Sequence, residues 1–146
     1  MGSIALPAAG DVYLDSNCFI YSGERVDPYD ALLTPVWDAS RTGKIRIVTS
    51  ELTRLEVLVQ PVRLGDAHLE ALYRGMLKSS RDLSLVPISS AVLERALTLR
   101  ATQGFKTPDA IHAATALITG CKLLVSNDPA FRRLSGIQVE ILSDLK

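Results

Sequence analysis

Apolar positions along this chain follow two alternating rhythms, short continuous runs and longer stretches with a three-to-four-residue spacing. Asp11 to Leu14 (DVYL) is a run of the first kind and predicts a strand, ended by Asp15-Ser16-Asn17. Asp27-Pro28 then opens a helical pattern carrying Leu32, Leu33, Val36 and Trp37, which Gly43 stops. Ile45 to Val48 predicts a second strand, with Thr49 and Ser50 as hydroxyl caps for the next helix. That helix runs from Glu51 to Val59 and is expected to end before Pro61, because proline cannot donate to a preceding carbonyl. Gly65-Asp66 begins another, with Leu69, Leu72, Tyr73, Met76 and Leu77 on one face. Leu83 to Ile88 reads as a third strand, and Ser89-Ser90 caps a helix reaching Gln103 and broken by Gly104. Thr107-Pro108-Asp109 supplies the N-cap and first two positions of a helix ended by Gly120. Lys122 to Val125 and Val139 to Leu142 predict the fourth and fifth strands.

Strands alternating with helices imply a parallel sheet covered on both faces. The expected fold is therefore α/β, a three-layer α/β/α sandwich with a central parallel sheet of about five strands, Rossmann-like in its winding. Nothing along the chain marks a linker or an internal repeat, so residues 1–146 are expected to form one domain. The 47% hydrophobic content supports a continuous core and sets aside a disordered chain. Cys18 and Cys121 sit in apolar settings without a second sulfur at ligand spacing, so buried free thiols are expected. No basic leader precedes an apolar run and no stretch approaches a membrane span, which points to a cytoplasmic protein without membrane attachment.

Lys plus Arg and Asp plus Glu both number 16, so net charge offers no pull on a polyanion. Phosphate binding through cations held by the chain's own carboxylates stays compatible with that balance. In open parallel sheets the reactive crevice lies beyond the carboxyl ends of the strands. Two strands end there in an acid, at Asp15 (VYLDSN) and Asp128 (LLVSND). Either alone is an ordinary turn or cap residue, but two at one edge favour chemistry. Asp109 lies in the first turn of its helix, where the macrodipole alone would account for it. The small residues Ala110, Ala113, Ala114 and Ala116 would let that helix approach the sheet and carry Asp109 toward the strand ends. Glu56 interrupts the apolar run Leu55, Val57, Leu58 and Val59, so its half-buried charge needs a partner. Glu51, five residues earlier, is rotated about 140° around the helix at about 100° per residue and is assigned to the helix start. His112 is one turn inside the Asp109 helix, and a packed or solvated histidine is its simplest reading.

Carboxylates converging on one edge repel unless a cation sits among them. Oxygen-only ligands suit Mg²⁺ or Mn²⁺, which activate water and stabilise charge in phosphodiester hydrolysis. Other acid-bearing folds fit less well. A receiver-type phosphotransfer domain needs an Asp where the second strand here ends in IVTS, and a haloacid-dehalogenase-like phosphatase needs an Asp at Asn17. A nucleotide-binding Rossmann domain needs a glycine-rich turn, which DSNCFIYSG lacks.

The segments YLDSN, TSELTRLEV, PDAIHAATAL and LLVSND, followed by Phe131 and GIQVEIL, carry a resemblance in their order and spacing. From Val12 to Leu142 the chain resembles the PIN-domain family, and within it the VapC-type toxins of bacterial toxin–antitoxin pairs. The resemblance implies a Mg²⁺- or Mn²⁺-dependent endoribonuclease, with catalytic acids at Asp15, Glu56, Asp109 and Asp128. Asp15, Asp109 and Asp128 would hold the metal, with Asn17 and Ser126 as supporting polar residues. Ser16 and Ser126 stand where threonine is commoner in the family, and each keeps the hydroxyl. The rival is a non-catalytic PIN-like RNA-binding or assembly module, for which a repulsive acid cluster has no physical use. Arg25, Arg41, Lys44, Arg132 and Arg133 are candidate RNA contacts, with solvated surface charge as the default for each.

Leu52 to Val62 is apolar nearly all round, and one small domain cannot easily bury it together with the face of the following helix. A homodimer through these helices is expected, with Leu58 and Met76 at its interface. The resemblance adds a cognate antitoxin, whose amphipathic segment would lie along them and whose tail would block the carboxylates.

Overall fold

The computed structural model describes residues 2–146. Five strands, β1 (Asp11–Leu14), β2 (Arg46–Ser50), β3 (Leu83–Val86), β4 (Leu123–Ser126) and β5 (Gln138–Ile141), form one sheet in the order β3-β2-β1-β4-β5. All four pairings are parallel, so every connection must cross a face of the sheet or loop past its edge. Helices α1 (Ser16–Gly23), α2 (Tyr29–Arg41), α3 (Glu51–Leu64) and α4 (Ala67–Met76) connect β1 to β2 and β2 to β3. They bury Phe19, Leu33, Val36, Val57, Tyr73 and Leu77 against Val12 and Leu14. Helices α5 (Ser90–Gln103) and α6 (Thr107–Ile118) return the chain across the other face. There Val92, Leu99, Ala110, Ala113 and Ala114 pack on Tyr13, Val48 and Leu124. Strand β1 thus sends Val12 and Leu14 into one core and Tyr13 into the other, as a two-residue period requires. The expected three-layer α/β/α sandwich is the observed one.

The sheet grows from β1 toward β2 and β3 and is then resumed on the other side by β4, which makes the β1–β4 junction the switch point. Val12, Tyr13 and Leu14 pair there with Leu123, Leu124 and Val125, so the two strands finish level. The alanines of α6 are fully buried, and their small side chains bring this helix down onto the sheet beside that junction. Among the described residues, no helix is long and apolar enough to cross a membrane.

Several boundaries differ from the sequence expectation. The segment after Asp15 is helical at once: α1 starts at Ser16 with Asp15 as its N-cap, whereas the polar Asp-Ser-Asn triplet had suggested only a strand end. Helix α3 runs through Pro61 to Leu64 and stops at Gly65, whose φ of 68° is left-handed. Pro61 is itself buried, and packing beside Val57 and Leu58 offsets the missing N–H. Of the two expected caps, Ser50 accepts the Leu52 N–H at 3.0 Å, while Thr49 donates instead to the Leu14 carbonyl at 2.7 Å. Lys106, not Thr107, is the cap residue of α6, and no side chain bonds there.

Candidate active site

Asp15 leaves the end of β1 and caps α1, its Oδ1 accepting the Cys18 N–H at 3.3 Å. The Ser126 hydroxyl, at the end of β4, donates to Oδ2 at 2.5 Å. Only 4% of Asp15 is exposed. Burial pushes its carboxyl upward, and the nearby His112 charge and the hydrogen bonds from Ser126 and Cys18 offset that only in part. The Ser126 oxygen also accepts the Asp128 N–H at 2.9 Å, so one hydroxyl fixes both acids of the switch point. Asp128 in turn caps the short 3-10 turn Pro129–Arg133 by accepting the Ala130 N–H at 2.9 Å.

Asp109, half-buried in the first turn of α6, lies close to Asp128. Burial raises its carboxyl, and the negative charges of Asp128 and Asp15 raise it further, with His112 pulling the other way. The charges acting on Asp109 place it in one electrostatic neighbourhood with Asp128 and Asp15. Among the described residues, none of the three is ion-paired with a lysine or arginine.

Glu56 approaches from α3 and accepts a hydrogen bond from His112 Nε2 at 2.7 Å. Burial opposes its ionisation, but that hydrogen bond, the His112 charge and the Ser16 hydroxyl together hold its carboxyl below the usual glutamate range. On the other side of the ring, His112 Nδ1 meets the Tyr13 hydroxyl at 2.6 Å. Of the two readings of His112, packed or solvated, the packed one holds, with both nitrogens committed inside the fold and one of them to Glu56. Two signals in the sequence could have found this. His112 is three residues beyond Asp109 and so shares its helix face, and Tyr13 is two before Asp15 and so shares its strand face.

Glu51 stays apart from this group, pairing with Arg54 at 3.1 Å on the first turn of α3. Asn17 is exposed on α1 and, among the described residues, makes no hydrogen bond to the four acids. Of the candidate basic residues, Arg41 pairs with Asp38, Arg132 with Asp144, and Arg133 lies over the Phe105 ring.

The donor set fits a hard divalent cation: carboxylate oxygens from three elements, with the Asp109 carboxyl raised by the charges of Asp128 and Asp15 and no lysine or arginine paired with any of them. As they stand, however, no three His, Cys, Asp or Glu side chains among the described residues are gathered into a metal-holding group.

Comparison with known proteins agrees with this architecture. No curated protein matches the sequence. Among solved structures, VapBC2 from Rickettsia felis, bound to a DNA fragment from its promoter, aligns with a TM-score of 0.71 and 17% identity. That alignment covers 90% of this chain and 98% of the other. A toxin–antitoxin complex from Klebsiella pneumoniae aligns with a TM-score of 0.65 and 25% identity, over 88% and 95% of the two chains. VapC20 from Mycobacterium tuberculosis, a Sarcin-Ricin loop cleaving toxin, aligns at 0.63 with 13% identity, over 77% and 86%. The PIN domain family matches residues 12–137, which spans both strand-end acids, Glu56 and Asp109. By that match this chain belongs to the PIN domain family.

Proposed function

We propose that this chain is a Mg²⁺- or Mn²⁺-dependent endoribonuclease and the toxin of a toxin–antitoxin pair. The observation that carries this reading is that Asp128 and Asp15 both act on Asp109 at the switch point, with no lysine or arginine paired to any of the three. A folded domain gains nothing from three adjacent carboxylates unless a cation or a reaction uses them. Asp15, Asp109 and Asp128 would hold a divalent cation, which supplies Lewis acidity toward the scissile phosphate and lowers the pKa of the attacking water. Ser126 holds Asp15 in place and, through the Asp128 backbone, sets the second acid. Glu56 is kept ionised with Oε1 occupied by His112, which leaves Oε2 to take a proton from water as it adds to phosphorus. The P–O bond to the neighbouring nucleoside then breaks, and the departing oxygen takes up a proton.

The likeness to a Sarcin-Ricin loop cleaving toxin supports an RNA substrate, and the likeness to toxin–antitoxin complexes supports an antitoxin partner. An association surface is available on α3 and α4. Leu55, Val59, Val62 and Leu64 are 47–69% exposed there, and Arg54 and Arg74 flank the groove that Leu55, Val59 and Val62 form with Leu58. A homodimer or an amphipathic antitoxin segment would cover it. Incubating the purified protein with total cellular RNA and Mg²⁺ and mapping the new ends tests the activity. Discrete new ends support the ribonuclease reading, whereas RNA that is bound but left intact would favour a binding module.

A further inference from the structure

Three side chains from three elements form a continuous chain behind the site. The Ser50 backbone N–H reaches the Tyr13 hydroxyl oxygen at 3.2 Å, and a backbone N–H can only donate. His112 Nδ1 lies 2.6 Å from the same oxygen, so the Tyr13 hydroxyl anchors that side of the imidazole whichever of the two donates. The other ring nitrogen, Nε2, faces Glu56 Oε1 at 2.7 Å, and an ionised carboxylate can only accept, so Nε2 carries a proton there. Tyr13 is wholly buried and His112 is 2% exposed, so water does not compete for these bonds. Glu56, by contrast, is only half-buried on a helix surface, and its three side-chain torsions would otherwise leave the carboxylate free to swing.

We infer that His112, oriented by Tyr13, is the positioning residue that fixes the Glu56 carboxylate for hydrolysis, an inference that rests on the ribonuclease reading. Tyr13 anchors the ring at Nδ1, the ring aims its Nε2–H at Glu56, and that donor holds one carboxylate oxygen so that the other faces a constant direction. Neither His112 nor Tyr13 touches substrate in this scheme.

Two isosteric substitutions separate this role from simple packing. H112Q keeps an amide donor near Nε2, and H112N keeps a polar group near Nδ1 but withdraws from Glu56. In RNA cleavage with Mn²⁺, H112N should lose about 10- to 100-fold in kcat with KM little changed, and H112Q should recover most of that loss. In an E56Q background, H112N should cost nothing further, because its effect runs through Glu56. Equal activities of H112N and H112Q, or additive losses with E56Q, would overturn the inference. If H112N fails to fold, Y13F decides: a fall in kcat at constant KM supports the chain, and unchanged kcat overturns it. Nitrogen-15 NMR of His112 gives a readout independent of catalysis, with a protonated Nε2 expected in the wild type and an unprotonated Nε2 contradicting the chain. If the wild type cuts no RNA, the ribonuclease reading falls by itself. The NMR spectrum then still determines whether His112 grips Glu56.

Discussion

Ser126 donates to Asp15 at 2.5 Å across 111 residues of sequence, and the same hydroxyl oxygen receives the Asp128 N–H. The contact exists because Leu14 and Val125 are paired on adjacent parallel strands, so the residues following them emerge side by side. One side chain thereby sets the spacing of the two strand-end acids. Substituting Ser126 with Ala removes a donor from a buried carboxylate and should cost about 1–3 kcal/mol of stability near neutral pH. Urea denaturation of S126A checks this, and an unchanged midpoint would show that the hydroxyl does not support Asp15.

Glu56 and Glu51 are five residues apart on α3 yet serve different ends. E56Q should reduce RNA cleavage strongly, since it removes the ionised carboxylate that His112 holds. E51Q should leave cleavage intact and weaken the helix start by about 0.5 kcal/mol, because its ion pair with Arg54 is well exposed. Parallel rate measurements on the two variants check the assignment. Loss of cleavage in E51Q alone would reverse it.

The acids also predict a pH signature. Asp15 and Asp109 have raised carboxyls, so the folded state binds their protons more tightly than the unfolded chain. Their contribution favours folding below the ordinary aspartate range and is lost as pH rises through the folded values. Glu56 is lowered, so its contribution is present above the ordinary glutamate range and is lost as pH falls through its folded value. Mg²⁺ or Mn²⁺ should therefore raise Tm more at about pH 8 than at about pH 5, where protons compete for the same oxygens. A larger stabilisation at the acidic pH would contradict a carboxylate-held cation.

Much of this was legible in the sequence, and the gaps have physical causes. Apolar runs against helical spacing revealed all five strands, and the strand-end placement of Asp15 and Asp128 put both acids at the edge where β1 and β4 finish. Helix α1 was hidden because Asp15 both ends a strand and caps a helix, two uses of one residue type. The passage of α3 through Pro61 was hidden because propensity knows nothing of the core that Pro61 enters. The partners of His112 were hidden because they come from β1 and α3, far away in sequence, and only the folded layers bring them together.

The association surface needs the same correction. Leu58 is 8% exposed and belongs to the core, and Met76 packs against that core, so Asp at either position should unfold the protein. Leu55 and Val62, 66% and 53% exposed on the same helix, are the residues that face outward. L55D combined with V62D should convert a dimer to monomer at micromolar concentration while circular dichroism stays unchanged. A wild type that is monomeric in light scattering would remove the dimer, and a dimer that survives both substitutions would move its interface elsewhere.

The central claim is that the crowded acids at the β1–β4 junction cut RNA with a divalent cation. RNA cleavage by the wild type, D15N and D128N, each with Mg²⁺ or Mn²⁺ and again with excess EDTA, tests it most directly. Asparagine keeps the shape of each acid and also caps helix starts, so the variants should fold and bind RNA, yet cleave it at least about 100-fold more slowly. Cleavage by the wild type should stop in EDTA and return when Mn²⁺ is restored. Undiminished cutting in EDTA, or full activity in D15N, would contradict the account.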